Sequence, residues 1–282
     1  MSSLTNTTKT VRRTIEKSAW EIQGDICIIG AGIAGISAAI AAADAGKSVV
    51  LVDGNLYLGG QTYNSNIGSF CGFYSNHGEK SKMLTRLGVT EIFHSMHEAQ
   101  GLLELISDTI VLMYDENIFL RSVEKVLVKR NIQILLGAIL YKASFQCRRI
   151  TKAYVATRYG TVVIHANGFI DASGDASLAW TVGLSCSVPK EQVVFGSEMV
   201  ILKDVNFNTA PPSVEEINKR AHETKKKYGL NRTKNVIFYF PERGGMFYGN
   251  MTHVRILPDP FSATNVSISG KEEADKVLRF FT

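Results

Sequence analysis

The residues best spaced for chemistry lie in "DICIIGAGIAGISAAIAAADAGKSVVLVD", residues 25–53. Gly30, Gly32 and Gly35 stand in GxGxxG spacing, and Asp53 follows eighteen residues after Gly35. Glycines so spaced permit a tight turn, let a pyrophosphate approach the backbone, and let a helix pack on a strand. A helix starting at such a turn offers free N–H groups and a positive dipole end to phosphate. A carboxylate closing the next strand is placed to accept from ribose hydroxyls. The chemistry is dinucleotide binding. The alternative is a glycine-rich turn in an α/β domain that binds nothing.

The elements that must position these residues are legible on both sides. Ile26, Ile28 and Ile29 predict a buried strand before the turn, and "ISAAIAAADAG" predicts a helix that Gly46 ends. Ser48 to Val52 predict a second strand terminating in Asp53. The motif needs this strand–turn–helix–strand context to carry meaning. It leaves NAD and FAD both open, because each presents an ADP half to the same pocket. Next comes "GNLYLGGQTYNSNIGSFCGFYSNHG", a long loop rich in Gly, Asn and Ser. Such loops are uncommon unless functional.

With that loop the chain resembles the FAD-dependent oxidoreductases of the glutathione-reductase-like superfamily. The nearest pattern is a bacterial branch reading strand–GxGxxG–helix–strand–acid, then "LGG", then a "CGFY"-like segment. The resemblance implies FAD as cofactor, held by Gly30, Gly32, Ala34, Gly35 and Asp53. It implies that Gly59, Gly60 and the adjoining Gln61 lie against the flavin diphosphate, with the loop through Phe73 near the isoalloxazine.

Farther along, "LMYDENIFLRSVEKVLVKRNIQILLGAIL" (112–140) reads as an amphipathic helix and a buried strand. Leu120, Val123, Val126 and Leu127 form the helical face, and Ile132, Ile134 and Leu136 alternate on the strand. The resemblance implies that Ala138 and Ile139 offer backbone to the adenine. Strand-like runs at 141–147, 151–158 and 161–166, with turns at Arg148-Arg149 and Tyr159-Gly160, predict a small meander. "GFIDASGDASLAW" (168–180) is similar to the family's "IDATGDGDLA". That likeness places Ser173, Gly174 and Asp175 near the flavin ribityl–phosphate arm. Ser173 replaces the family's Thr and Ala176 its second Gly, both mild departures. On its residues alone the stretch reads equally as a strand-to-helix turn N-capped by Asp175 or Ser177.

From about Gly183 the texture changes to mixed strand with one polar helix. "PPSVEEINKRAHETKKKYG" opens with a capping box, Ser213 with Glu216, and stops at Gly229. Two strand-like runs follow around Pro241–Gly245, and "PERGGMFYGNMTHV" is similar to the family's "PRPGEVFVNMTRV" in a cap-like substrate domain. The fold class is therefore α/β: a Rossmann-like FAD-binding domain with a central parallel sheet and small β-meander, plus an α+β cap. The expected boundaries are a flexible arm at 1–20, the FAD-binding domain at 21–182 and the cap at 183–270. Residues 271–282 are expected to start a helix returning to the first domain.

Flavin chemistry asks for positioning, exclusion of water and at most a base. Histidine titrates near neutrality and arginine grips carboxylates bidentately. The catalytic candidates are His77, in the loop expected to pass the flavin, and His253 and Arg255 in the cap, with Arg243 and Tyr248 nearby. For each the alternative, and the commoner case, is a surface or structural residue. Cys71 has no resolving CxxC partner and reads as a packed small residue. His94 and His97, on a helix expected over 90–106, lack a third ligand and read as solvent-facing, so no metal site is expected.

The bulk numbers exclude several classes. A net charge of +5 over 282 residues is modest, and only Lys225-Lys226-Lys227 cluster, so nucleic acid is not an expected partner. The longest small-apolar stretch, from Ile26 to Ala43, is interrupted by three glycines and is not a membrane span. Four separated cysteines read as reduced thiols of a cytoplasmic protein.

The resemblance implies hydride transfer from a small organic or amino-acid-like substrate, bound between domain and cap, to the flavin. The alternative is an incomplete FAD- or nucleotide-binding subunit. In "SGKEEADKVLRFFT" (269–282) Glu272, Glu273 and Asp275 read as a first helical turn, followed by an apolar face of Leu278, Phe280 and Phe281. No "LLVAGR"-type stretch, which closes the flavin site in the family, follows residue 183. A second subunit or homo-oligomer is therefore expected to cover an apolar seam beside the 270–282 helix.

Overall fold

The computed structural model describes residues 19–72, 89–99, 102–106, 110–187, 195–206, 210–240, 245–256 and 261–282. Its contacts divide the chain into two units, Met1–Cys186 and Ser187–Thr282.

The first unit begins with β1 (Trp20–Ile29), α1 (Ile33–Asp44) and β2 (Val49–Asp53), then α2 (Gln61–Asn64), β3 (Ser69–Phe70), α3 (Thr90–Glu98), β4 (Leu102–Ile106) and β5 (Ile110–Tyr114). It continues through α4 (Glu116–Val128), β6 (Gln133–Leu136), β7 (Ile139–Gln146), β8 (Arg149–Thr157), β9 (Gly160–Asp171) and α5 (Ser177–Thr181). The central sheet has the order β6-β2-β1-β9-β8-β7. Its first four strands are mutually parallel, and β8 and β7 continue it as an antiparallel meander. β9 serves both parts, because its 12 residues pair with β1 on one edge and β8 on the other.

A parallel sheet is covered on both faces, so its strands are apolar throughout. All five residues of β2 are buried. Ile28 and Leu51 face a core shared with Ile36 of α1 and Phe119 and Val123 of α4. Cys27, Val50 and Val52 face the opposite core with Val155 and Ile164. Each large side chain buried this way contributes about 1.5–3 kcal/mol. A second sheet, β3-β5-β4, packs Phe70 and Tyr114 beside Phe119, and the Tyr114 hydroxyl donates to the Thr62 carbonyl at 2.7 Å. That bond ties α2 to the core.

Local rules misplace two helix boundaries here. The helix within 112–140 begins only at Glu116, because the Asp115 carboxylate accepts from the N–H groups of Asn117 and Ile118 at 3.0 and 2.9 Å. Leu112 and Met113 pair with Phe70 and Ser69 instead. The helix expected over 90–106 stops at Glu98, since Leu102–Ile106 form a ladder with β5. His94 and His97 are exposed on α3, and no three-residue metal-binding cluster exists among the described residues.

Both hairpin turns lie one residue earlier than expected, at Cys147-Arg148 and Arg158-Tyr159. Cys147 and Arg148 have φ of 49° and 61°. Two left-handed residues make a type I′ turn, whose preferred sequence is Asn-Gly. Each ordinary L-residue in that region costs roughly 1–2 kcal/mol. Cys147→Asn combined with Arg148→Gly is therefore expected to stabilise the first unit by about 1 kcal/mol. A rise in the urea midpoint with unchanged slope is the readout.

The second unit contains β10 (Phe195–Gly196), β11 (Met199–Leu202), α6 (Val214–Tyr228), β12 (Val236–Phe240), β13 (Met246–Asn250), β14 (Val254–Arg255) and α7 (Ser262–Phe281). An antiparallel sheet β11-β13-β12 and a β10–β14 pair carry the two helices. The capping box forms in full. Ser213 Oγ accepts from the Glu216 N–H at 3.2 Å, and the Glu216 carboxylate accepts from the Ser213 N–H at 2.8 Å. Gly229 ends α6 at φ +68°, and Lys225–Lys227 sit at its negative dipole end.

The last helix departs from expectation. It starts at Ser262, so Glu272, Glu273 and Asp275 lie in its middle rather than its first turn. Val277 and Phe280 are only 2 % and 1 % exposed, packed against Ile217, Phe247 and other residues of this same unit. The apolar seam expected along 270–282 is thus covered by the unit's own core. The residue that faces outward is Leu278.

Among the described residues no helix is long and apolar enough to cross a membrane. All four cysteines are free. Cys27 is buried, and burial pushes its thiol up to about 12. Cys71, expected as a packed residue, is instead exposed, because Phe70 takes the inward position of that alternation. Labelling with a thiol reagent is expected to modify Cys71 and Cys147 in the native chain and to reach Cys27 only on unfolding. Mass mapping of the labelled peptides decides it.

Candidate functional site

In the order β6-β2-β1-β9, β1 lies between β2, which follows it through α1, and β9, which comes late in the unit, and ligands bind at the carboxyl ends of such parallel strands. Four segments meet there: 30–35, 53–61, 137–139 and 171–176. The Gly30 N–H donates to the Val52 carbonyl at 2.7 Å, and the Ala172 N–H donates to the Ile29 carbonyl at 2.8 Å. Gly30 has φ +103°, and a Cβ there would stand 2.2 Å from the Ala172 carbonyl oxygen. A Cβ on Gly35 would stand 1.8 Å from the Gly30 carbonyl oxygen. The glycine run and the 171–176 turn are therefore pressed together, and only glycine fits at 30 and 35.

Gly59 and Gly60 join from the other side. The Gly59 N–H donates to the Ala31 carbonyl at 2.8 Å, and a Cβ on Gly60 would lie 3.0 Å from Gly32 Cα. Gln61 opens α2, exposed, and its side-chain oxygen accepts from Ser65. Asp53 is buried at the end of β2. Its Oδ2 accepts from the Ala31 N–H at 2.6 Å, and its Oδ1 accepts from the Asn55 N–H and side-chain amide at 2.7 and 2.9 Å. A carboxylate offers about four lone-pair sites, so one remains, on Oδ2. The Ala138 N–H is taken by the Asp53 carbonyl at 2.9 Å, and Ile139 beside Gly54 and Leu56 beside Gly137 are both exposed.

Gly32 differs from its neighbours. Its φ is −71°, a value any residue adopts, and a Cβ there meets nothing within 4 Å. Nothing among the described residues requires glycine at this position. It is the N-cap of α1, which starts with no side-chain cap and no acid in its first turn. The first-turn N–H groups, including that of the exposed Ala34, lack intrahelical acceptors. This is a cradle shaped for an anion of some bulk, and a pyrophosphate fits it.

The 171–176 turn is organised by a residue that motif reading passed over. Asp171 Oδ1 accepts from the Ser173 N–H and hydroxyl at 3.1 and 2.6 Å, and its Oδ2 accepts from the N–H groups of Leu178 and Ala179 at 2.9 and 3.0 Å. Ser173 Oγ in turn accepts from the Ser177 N–H at 2.8 Å. The α5 N-terminus is therefore served by Asp171 and Ser173 rather than by Asp175 or Ser177. The signal was present as Asp-x-Ser at a strand end, an Asx-turn pattern. Partial burial pushes the Asp171 carboxyl up, but the bonds from Ser173, Ala179 and Leu178 outweigh it and hold the carboxyl below the ordinary value. Gly174, at φ +87°, faces open space, and Asp175 is exposed. Ala176 has φ 54°, so alanine in place of the second glycine is a strained substitution rather than a mild one.

Of the catalytic candidates, His77 and Arg243 lie outside the described residues. Tyr248 is buried on β13, and Arg255 is exposed on β14 opposite Phe195. The His253 ring stacks on Phe195 with centroids 5.1 Å apart and planes 14° from parallel. Asn231 clamps the His253 backbone, accepting from its N–H at 3.2 Å and donating to its carbonyl. Burial, then the Arg232 charge, push the His253 imidazole below its ordinary value. Arg232 was not legible as a site residue, because its meeting with the 250–253 segment is a tertiary contact.

Comparison with solved structures finds this fold in other proteins. The chain superposes on a geranylgeranyl bacteriochlorophyll reductase-like protein (Ta0516) from Thermoplasma acidophilum with a TM-score of 0.53 at 12 % identity, covering 89 % of this chain and 62 % of that one. For CabE, an aromatic hydroxylase from angucycline biosynthesis, the TM-score is 0.51 at 12 % identity, covering 88 % of this chain and 48 % of that one. The chain thus spans less than two thirds of either protein, and likeness at this identity speaks for the fold. No curated protein matches the sequence. The pattern of the FAD dependent oxidoreductase family matches residues 25–282. Gly32, the uncapped α1 and the Gly174 turn fit that cofactor, and the match runs through both units: the chain belongs to the FAD-dependent oxidoreductase family.

Proposed function

We propose that the chain catalyses oxidation or reduction of a small organic or amino-acid-like substrate, with FAD in the first unit and substrate recognition in the second. FAD, when bound, supplies two-electron chemistry by accepting a hydride from a substrate C–H bond. Gly32 and the first-turn N–H groups of α1, including those of Ala34 and Gly35, take the pyrophosphate. The remaining Asp53 Oδ2 lone pair accepts from a ribose hydroxyl. Leu56 and Ile139 give the adenine an apolar rim beside the Ala138 backbone. Gly59, Gly60 and Gln61 flank the diphosphate, and Ser173, Gly174 and Asp175 border the ribityl arm. His253 is the polar group offered to substrate.

The observation that carries this reading is Gly32, a glycine that nothing among the described residues requires. The test is the visible spectrum of the purified chain before and after incubation with FAD, with NAD as the competitor. A retained yellow chromophore that bleaches on addition of an oxidisable substrate supports the reading. A chain that takes up NAD and leaves FAD in solution overturns it.

A further inference from the structure

Arg232 is a cation of the second unit. It is half-buried, and among the described residues no carboxylate meets it. Its Nε donates to the Lys234 carbonyl at 2.5 Å and its Nη1 to the Asn250 side-chain oxygen at 2.6 Å. Both acceptors are neutral, and burial lowers the guanidinium's pKa from its ordinary value. A charge drawn partly out of water without a counter-ion is costly to keep. Guanidinium carries five N–H donors. Among the described residues two are engaged, which leaves Nη2 and the second Nη1 hydrogen. That is the fork that grips a carboxylate with two parallel bonds.

The surroundings complete a site. Arg232's charge is felt at the His253 imidazole, and that ring is stacked on Phe195, which is 50 % exposed. Asn231 and Arg232 are consecutive: one clamps the His253 backbone while the other bonds Asn250, so both are held on the same 250–253 segment. A half-exposed aromatic ring, stacked on the imidazole that feels this charge, suits a flat anionic molecule.

We propose that Arg232 binds the carboxylate of a small planar substrate whose body lies along Phe195 and His253. This deepens the reading of the second unit as the substrate-recognising part and rests on it. A purely structural Arg232, bridging Lys234 and Asn250, is the competing account.

The full chain, labelled with 15N-histidine, is titrated with sodium benzoate, with sodium chloride at equal ionic strength and with neutral benzamide as controls. The chain has six histidines, and His253→Gln assigns the ring of interest. Benzoate is expected to move the His253 resonance saturably, while chloride and benzamide do not. Arg232→Gln is expected to weaken benzoate at least tenfold. Arg232→Lys, which keeps the charge and loses the fork, weakens it several-fold and carries the test if the glutamine variant fails to fold. Lys226→Gln, an exposed cation on α6, leaves the affinity unchanged. No saturable shift with benzoate, or one whose affinity is unchanged in either Arg232 variant, overturns the proposal. FAD uptake with no benzoate response sinks this inference alone. A benzoate response without FAD uptake sinks the flavin reading and leaves the anion site standing.

Discussion

Gly32→Ala is expected to leave the chain folded and deprive it of FAD, whereas Gly35→Ala is expected to deprive it of the fold. At position 32 the backbone is ordinary and the space beside it open. Alanine there restricts the unfolded chain, and apo stability should rise by about 0.4–1 kcal/mol. The same methyl occupies the cradle at the α1 N-terminus, and FAD affinity should fall by roughly 100-fold or more, near 2.7 kcal/mol. At position 35 the methyl would stand 1.8 Å from a backbone carbonyl oxygen. No flexible side chain can give way, so the turn itself must move, at a cost of about 3 kcal/mol or more. Urea unfolding of the apo chains and quenching of FAD fluorescence on titration separate the two effects. Wild-type FAD affinity in Gly32→Ala would remove the observation on which the cofactor site rests.

Asp171→Ala is the second large change. It strips acceptors from the Ser173 N–H and hydroxyl and from the N–H groups of Leu178 and Ala179. Bonds to an ionised acceptor contribute more than neutral ones, but this carboxylate is largely exposed, so a total near 1–3 kcal/mol is expected. FAD binding should weaken with it, because the turn that Asp171 holds presses on Gly30. The pH dependence has a definite sign. The folded carboxyl lies below the ordinary 3.8, so the stabilisation is fully present above that value and is lost as pH falls through the depressed one. Wild type should therefore lose its advantage over Asp171→Ala on acidification through this window. An advantage that stays constant through it would show that the ionised carboxylate is not what holds the turn.

How far the sequence revealed this arrangement depends on the range of the forces involved. The β1–α1–β2 unit, the α6 capping box and the meander strands are set by residues within a few positions of one another, and spacing alone discloses them. Asp53 shows where that legibility stops. Its place at a strand end is written locally, yet two of its three bonds go to Asn55, and the third reaches back 22 residues to Ala31. Its carboxylate is mostly occupied before any ribose arrives. Ala176 looked innocuous because left-handed backbone is a property of the assembled turn. Leu102–Ile106 read as helix because the β5 ladder that claims them cannot be seen in their own composition. Arg232 had no motif at all, since its meaning comes from Asn250 and His253, about twenty residues downstream.

The double duty of β9 has a consequence in time. β1 completes its pairing only with a strand whose register sets Ile26 against Gly168, at the far end of the first unit. At about 5–20 residues per second on the ribosome, the chain that closes the cradle at Asp171 follows Gly35 by roughly 7–27 s. During that interval the GxGxxG turn exists without the wall that braces Gly30, and one long edge of β1 stands open to wrong neighbours. Long-range parallel pairing of this kind is slow to form. The nascent chain is thus most vulnerable to aggregation before its sixth sheet strand emerges, and cofactor capture is a late event in its synthesis.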